Sequence, residues 1–309
     1  MTTTARPRSA ALRPLRGVRV LSLALNLPGP AALMRLRAMG ATCLKVEPPP
    51  PRGAAAGTPG DPMGHYNATA YGTLHENIKV VSWDLKAERG QAALHKALAR
   101  TDVLLTSFRP SALAKLGLGW KVLRARHPAL SVVAIVGAPG ERAEEPGHDL
   151  TYLAEAGLVT GLELPATLFA DMGGALMASE AVLASALNLK ATGKGSFQEV
   201  ALSQAASWLA LPRTWGLTQP QGAVGGAHAG YRIYACRDGR VAVAALEPHF
   251  ATALCQVAGW PVKGPTTLLQ PETRSALAAF FQERTCAQLN RLAREHDIPL
   301  HTLAAPRQR

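Results

Sequence analysis

Residues 18–48 decide the fold and read VRVLSLALNLPGPAALMRLRAMGATCLKVEP. Residues 18–25 form a short apolar run, which predicts a buried strand. The Pro-Gly-Pro turn then ends the strand where a helix can begin, because proline is tolerated in the first helical turn. Apolar side chains follow at helical spacing up to Gly40, and residues 41–48 return to the strand pattern. This segment therefore predicts a strand, a helix and a second strand.

The same alternation continues along the chain. Further strands are predicted at 79–84, 102–106 and 130–136, with helices at 87–100 and 111–126 between them; the stretch 52–75, rich in Gly, Pro and Ala, is typical of a loop. Strands that alternate with helices indicate a parallel sheet covered by helices on both faces. The predicted class is α/β, with a Rossmann-like parallel-sheet large domain.

The pattern changes after residue 147. Helices are predicted at 149–158 and 172–190, and then a strand and a helix in SFQEVAL and AASWLALPRTW. Two alternating runs around an Asp-Gly turn make 231–246 a hairpin, and helices follow at 248–258, 271–283 and 285–296. The predicted organisation is a disordered basic leader over 1–14, the large domain over 15–214 and a small α+β domain over 215–309.

Composition excludes several classes of protein. The 309 residues are 48% hydrophobic with a net charge of +12, which favours an anionic partner. Outside the Arg-rich leader the basic residues are scattered and aromatics make up only 5%, so a nucleic-acid partner is not expected. The sequence contains no run of about 18 uncharged apolar residues, so it predicts no membrane-spanning helix. Four cysteines without a CxxC pair predict neither a disulfide framework nor a metal site, and fit the cytoplasm.

A series of short motifs along about residues 15–300 resembles the class III CoA-transferase family, the CaiB/BaiF group. After the opening segment these motifs are WDLK (83–86), DVLLTSFRPSALAKLGLG (102–119), PGHDLTYLAEAGL (146–158), LFADMGGALMA (168–178), ATGKGSFQEVAL (191–202), YRIYACRDGR (231–240) and VAALEPHF (243–250). The resemblance implies a CoA-binding large domain, an acyl-CoA thioester as substrate, no prosthetic group and an interlocked homodimer. Family members continue beyond the point matched by 298–303, so their C-terminal return segment is expected to be absent here.

The resemblance also implies the candidate catalytic residues. Transferases of the family have an aromatic residue before the aspartate of a Gly-x-Asp tripeptide, whereas this chain has His148 between Gly147 and Asp149. Histidine at this position marks the α-methylacyl-CoA racemase branch. That branch also has two further acids, which Asp171 and Glu247 match.

Racemisation explains why these residue types are needed. A thioester makes its α-hydrogen weakly acidic, and inversion requires one base on each face of the α-carbon. Imidazole exchanges protons near neutral pH, and a carboxylate can act opposite to it. We assign His148, oriented by Glu247, to one face and Asp171 to the other. The backbone N–H of Asp149, at a predicted helix start, would stabilise the enolate oxygen.

Other interpretations stay open. Asp149 and Asp171 are also typical helix N-caps, and Glu247 before a proline is an ordinary helix start. A CoA transferase would use Asp149 as the nucleophile that becomes an acyl anhydride. A non-catalytic member would only bind CoA or serve as a dimer partner, and the expected absence of the C-terminal segment favours this alternative. Pro48, where racemases commonly carry an arginine, also weakens the racemase assignment.

Basic residues are expected to hold CoA. Arg109 and Lys115 stand where the family has basic residues near the CoA phosphates. The adenine side is matched by the segment Trp83, Asp84, Leu85 and Lys86, and Lys79 and Lys45 are possible helpers. Such side chains favour phosphate through charge-assisted hydrogen bonds.

Overall fold

The computed structural model describes residues 12–55 and 57–305. Contacts divide the chain into two compact units, the first ending at Ala210 and the second beginning at Leu211. Residues 1–11 of the predicted leader lie outside the described residues. The two units are described separately below.

A six-stranded parallel sheet forms the centre of the first unit. Its strands are β1 (Arg19–Ser22), β2 (Thr42–Glu47), β3 (Lys79–Ser82), β4 (Val103–Thr106), β5 (Ser131–Val136) and β6 (Phe197–Ala201). The strand order is β3-β2-β1-β4-β5-β6, and every neighbouring pair is parallel. The predicted α/β class with a Rossmann-like parallel sheet is thus confirmed.

Nine helices surround this sheet in the described part of the first unit. They are α1 (Pro28–Ala38), α2 (Met63–Tyr66), α3 (Ala68–Leu74), α4 (Glu88–Leu98), α5 (Pro110–Lys115), α6 (Trp120–Arg126), α7 (Asp149–Glu155), α8 (Phe169–Thr192) and α9 (Leu202–Leu209), with a 3₁₀ turn at Gly140–Glu144. Two predictions need correction. The expected helix 111–126 is two helices, because Gly117 adopts a left-handed φ of 69° between them. The expected loop 52–75 contains α2 and α3.

Both faces of the sheet are buried, as the run of apolar residues in β4 requires. Val103 and Leu105 belong to a core with α1 and α8, whereas Leu104 belongs to a second core with α4, α5 and α6. Successive strand side chains point to opposite faces, so one strand supplies both cores. A sheet sandwiched in this way has only the ends of its strands free to build a site.

Helix α8 is long and apolar enough to cross a membrane by length and composition alone, although it contains Asp171, Glu180 and Lys190. Ala175, Ala178 and Val182 of this helix nevertheless lie in the core. A Cβ at Gly174 would collide with the Leu202 side chain, so the missing side chain lets α9 approach closely. Helices in protein cores can have the same length and composition, so these two properties alone assign no membrane role to α8.

The second unit has its own antiparallel sheet and core. Its elements are α10 (Leu211–Thr214), β7 (Tyr231–Cys236), β8 (Gly239–Ala244), α11 (Pro248–Val257), α12 (Pro271–Gln282), α13 (Cys286–Glu295) and β9 (Leu300–Ala304), with 3₁₀ turns at Ala223–Gly225 and Thr267–Leu269. The predicted hairpin is β7–β8, and β9 adds a third strand beside β8 that the sequence pattern had not indicated. Leu277, Phe281 and Leu289 pack beneath this sheet.

Candidate active site

The candidate site lies where the strand order of the sheet reverses. Strands β1 and β4 are neighbours, but the chain leaves β1 towards β2 on one side and reaches β5 from β4 on the other. The loops after such strands diverge and open a crevice at their carboxyl ends. A cavity of about 730 Å³ lies here, lined by Asn26 and Leu27 after β1 and by Phe108 and Arg109 after β4. Topology alone therefore places a cavity at this edge.

His148 enters this cavity from the residue just before α7. Its backbone is fixed because the Thr151 hydroxyl accepts its N–H at 3.1 Å and donates to its carbonyl at 2.7 Å. The Tyr152 ring packs so closely on Gly147 that a Cβ there would collide with it. The imidazole itself is exposed and lines the cavity. An anchored backbone thus carries a ring that is free to meet a ligand.

Asp149 and Asp171 line the same cavity from the first turns of α7 and α8. Asp149 is only 5% exposed, and its Oδ1 accepts the backbone N–H of Asp171 at 3.0 Å. This bond ties the starts of the two helices together. The predicted position of Asp149 at a helix start is confirmed, and three of the four predicted catalytic residues are brought together.

The environment of Asp171 favours its protonated form. Burial and the neighbouring Asp149 carboxylate raise the pKa of Asp171 to about 6, although His148 acts in the opposite direction. A carboxyl group with such a pKa exchanges protons close to neutral pH. Burial first, and then Asp171, also raises the pKa of Tyr152.

Two polar residues of this cavity were missed by the sequence analysis. Asn26 has a left-handed φ of 62°, and its side-chain oxygen accepts a hydrogen bond from the Tyr66 hydroxyl at 3.5 Å. Tyr66 lies near Asp171, whose charge contributes to raising the tyrosine pKa after burial and Asp61. An asparagine two residues before a Pro-Gly-Pro turn was a usable signal, since asparagine tolerates positive φ.

A buried ion cluster supports that wall of the cavity. Lys45 is fully buried, with its Nζ 2.6 Å from Asp61 Oδ2, 3.6 Å from Glu47 Oε1 and 3.1 Å from His75 Nε2. Asp61 Oδ1 in turn accepts the backbone N–H of Asn26 at 3.1 Å. Burial, followed by the Lys45 charge, lowers the pKa of His75. Lys45 is therefore a structural cation, and its expected role as a CoA helper is wrong.

The predicted CoA residues divide into two groups. Lys86 and Lys115 line a second cavity of about 690 Å³ together with Leu85 and Phe108. Phe108 also lines the first cavity, next to Arg109. Phe108 thus connects the cavity of the two lysines to the cavity of His148 and Asp171.

The remaining predicted residues of the first unit line neither cavity. Trp83 packs on the core beneath α4, and Asp84 Oδ1 accepts the Lys86 N–H at 2.9 Å. Lys79 is exposed at the start of β3, and the cavity-lining loops follow the opposite ends of the strands. Glu247 lies in the second unit, directly before α11. Its predicted role beside His148 stays a prediction.

Comparison with known proteins decides the family. The profile of CoA-transferase family III matches residues 15–309. The chain belongs to this family. The resemblance inferred from its motifs is confirmed.

Members of CoA-transferase family III with similar sequences differ in activity. A probable fatty acyl-CoA transferase of Mycobacterium tuberculosis is 30% identical over 82% of this chain and 71% of its own length. The human alpha-methylacyl-CoA racemase is 28% identical over 89% of this chain and 73% of its own length. A crystal structure of the mycobacterial protein Rv3272 matches with a TM-score of 0.78 at 22% identity, covering 97% of this chain and 94% of that one. The fold is thus a family III fold, and both activities occur among relatives.

Proposed function

We propose that this protein is a racemase that interconverts the stereoisomers of 2-methyl-branched acyl-CoA thioesters. One observation carries the proposal: the imidazole of His148 and the carboxyl of Asp171 line a single cavity, and Asp171 has a pKa of about 6. Two groups able to exchange protons near neutral pH are what racemisation through an enolate requires.

The reaction begins when one of the two groups removes the α-proton. The carbon–hydrogen electron pair moves onto the thioester carbonyl, and the proton passes to His148 or to Asp171. The other group then returns a proton to the opposite face and restores the thioester. No bond to CoA breaks. In the direction that starts at Asp171 the carboxyl must be ionised, so the rate rises as the pH passes about 6.

The two cavities also suit the CoA part of the substrate. We place the phosphates near Arg109, Lys86 and Lys115, with the thioester in the cavity of His148. Phe108 borders both cavities, so one extended ligand would run past it. Arginine and lysine favour phosphate by charge-assisted hydrogen bonds. CoA enters as part of the substrate, and we propose neither a prosthetic group nor a metal for the reaction.

Loss of the α-proton signal in D₂O tests this proposal directly. The purified protein is mixed with a 2-methylacyl-CoA, without any free acid, and followed by proton NMR. We expect exchange and inversion of both stereoisomers in the wild type. His148→Gln and Asp171→Asn should each abolish inversion and restrict exchange to the stereoisomer whose α-proton faces the remaining group, because only one base is left. CoA affinity should stay within a few-fold in both variants, because the two groups act in the transition state. Inversion of the α-carbon at the wild-type rate in either variant would contradict the assignment.

CoA transfer is the second candidate, favoured by the two carboxylates in the cavity. A carboxylate would attack the thioester carbonyl, release CoA as its thiolate and become an acyl anhydride. The sequence suggested Asp149 for this role, but its carboxylate is buried and bound to the Asp171 N–H. Asp171 is the more accessible of the two, which makes it the better nucleophile.

Hydroxylamine separates the two activities. A transferase needs an acid acceptor and should yield a hydroxylamine-sensitive acyl-enzyme at Asp171, found by peptide mass spectrometry. A racemase needs no acceptor and leaves the enzyme unmodified. Binding of CoA without exchange or transfer would identify a non-catalytic member.

A further inference from the structure

A cluster of three potential metal ligands lies in the second unit. Cys236 ends β7 and Cys286 begins α13, 50 residues later, yet their Sγ atoms are 3.6 Å apart. Asp238, in the hairpin turn, has its Oδ1 at 3.9 Å from the Cys236 Sγ. The ligand atoms of these three residues all lie within 4.8 Å of one another. This cluster belongs to neither cavity of the first unit.

Backbone hydrogen bonds hold the three side chains in this arrangement. The Arg237 N–H donates to the carbonyl of Arg284 at 2.9 Å, which joins the hairpin turn to the segment before α13. Asp238 Oδ1 accepts the backbone N–H of Cys286 at 2.7 Å, which fixes the carboxylate beside the start of α13. A ligand set that is already assembled needs little ordering when an ion binds.

We propose that Cys236, Asp238 and Cys286 form a binding site for a soft divalent cation, with zinc as the ion that fits best. Two thiolates at about 2.3 Å from a tetrahedral zinc ion lie about 3.8 Å apart, close to the observed sulfur separation of 3.6 Å. The Asp238 carboxylate supplies a third ligand. Asp238 is exposed and Cys286 half-buried, so a water molecule completes the tetrahedron. Each thiol releases its proton to solvent as its S–Zn bond forms.

A second cluster in the described residues shows that closely spaced ligand atoms alone do not make a metal site. Glu47, Asp61 and His75 also lie within 4.8 Å of one another. The ammonium group of Lys45 already contacts all three, and its positive charge opposes a cation there. Among the described residues no lysine or arginine forms a salt bridge with Asp238, so zinc is expected at this site and not at the other.

Metal titration of the full-length chain tests the proposal. The protein is reduced, stripped with a chelator and titrated with zinc chloride against a chromophoric chelator. We expect one zinc ion per chain, with at least about tenfold weaker binding in Cys236→Ser, Cys286→Ser and Asp238→Asn. Cys255→Ala is the matched control, because its thiol is buried and belongs to no such cluster in the described chain; it should bind zinc as the wild type does.

Spectroscopy identifies the ligands independently of affinity. Cobalt(II) in place of zinc should give a sulfur-to-metal charge-transfer band that disappears in either cysteine variant, and X-ray absorption should show two sulfur ligands. Zinc binding that survives loss of both cysteines, and is lost in His75→Gln, would overturn the assignment. So would a reduced chain that binds no zinc and is oxidised by hydrogen peroxide only to a Cys236–Cys286 disulfide, recognised by a loss of two mass units.

Discussion

Replacement of Asp171 by Asn should stabilise the folded protein at neutral pH. The carboxyl has a pKa of about 6 in the fold, against 3.8 for an unperturbed aspartate. That difference corresponds to about 3 kcal/mol acting against the ionised folded state, at about 1.4 kcal/mol per pH unit. Because the side chain is only partly buried, solvent screening reduces the expected gain to about 1–2 kcal/mol. The site would thus be maintained at a cost in stability.

The sign of the effect depends on pH. A raised carboxyl pKa means that the folded state holds its proton more tightly, so the penalty is absent well below pH 3.8 and complete above about pH 6. The advantage of Asp171→Asn should therefore grow from near zero below about pH 3 to its full value above about pH 7.

Urea unfolding across this pH range measures that advantage, and amide hydrogen exchange within α8 reports on the first unit alone. Glu163→Gln, at an exposed loop position, is the matched control and should show no such trend. An Asp171→Asn variant that is no more stable than the wild type at pH 7 would refute the reasoning. So would an advantage that does not change with pH.

Three further predictions concern the first unit. Arg109→Ala should weaken CoA binding by about 1–3 kcal/mol, measured by titration calorimetry, and an unchanged Kd would remove Arg109 from the CoA site. Lys45→Met should lower the free energy of unfolding by about 3–5 kcal/mol, because it leaves the buried Asp61 carboxylate unpaired; a loss below about 1 kcal/mol would contradict the role of this ion pair. Gly147→Ala should displace Tyr152 and slow α-proton exchange, whereas Gly161→Ala, where a Cβ meets no atom, should not; equal rates would argue against the anchoring of His148.

The family and the main sheet were accessible from the sequence. Apolar runs such as those of β4 and β5 can be buried only between two layers, so their alternation with helices specified a parallel sheet. The motif residues His148, Asp149 and Asp171 were also identifiable, because they stand at helix starts in a recognisable order. The local sequence pattern was sufficient to identify these residues, because each of them lies within a short motif.

Some local structure depended on contacts that the pattern does not contain. The expected helix 111–126 breaks at Gly117, and α2 forms in a stretch that looked like a loop. The α2 segment is held by Asp61, whose Oδ1 accepts the Met63 N–H at 3.0 Å. That carboxylate is fixed by the buried Lys45, which sequence reasoning had assigned to CoA.

The sequence by itself determined the parallel sheet, the family and most of the acid and imidazole groups of the candidate site. Only the tertiary structure decided that Asp149 is buried against Asp171, that the Asp171 pKa rises to about 6, and that Cys236 and Cys286 meet. The physical reason is the separation along the chain over which each effect acts. Periodicity and turn chemistry act over a few residues, whereas burial, charge and ligand geometry depend on distances between residues far apart in the chain.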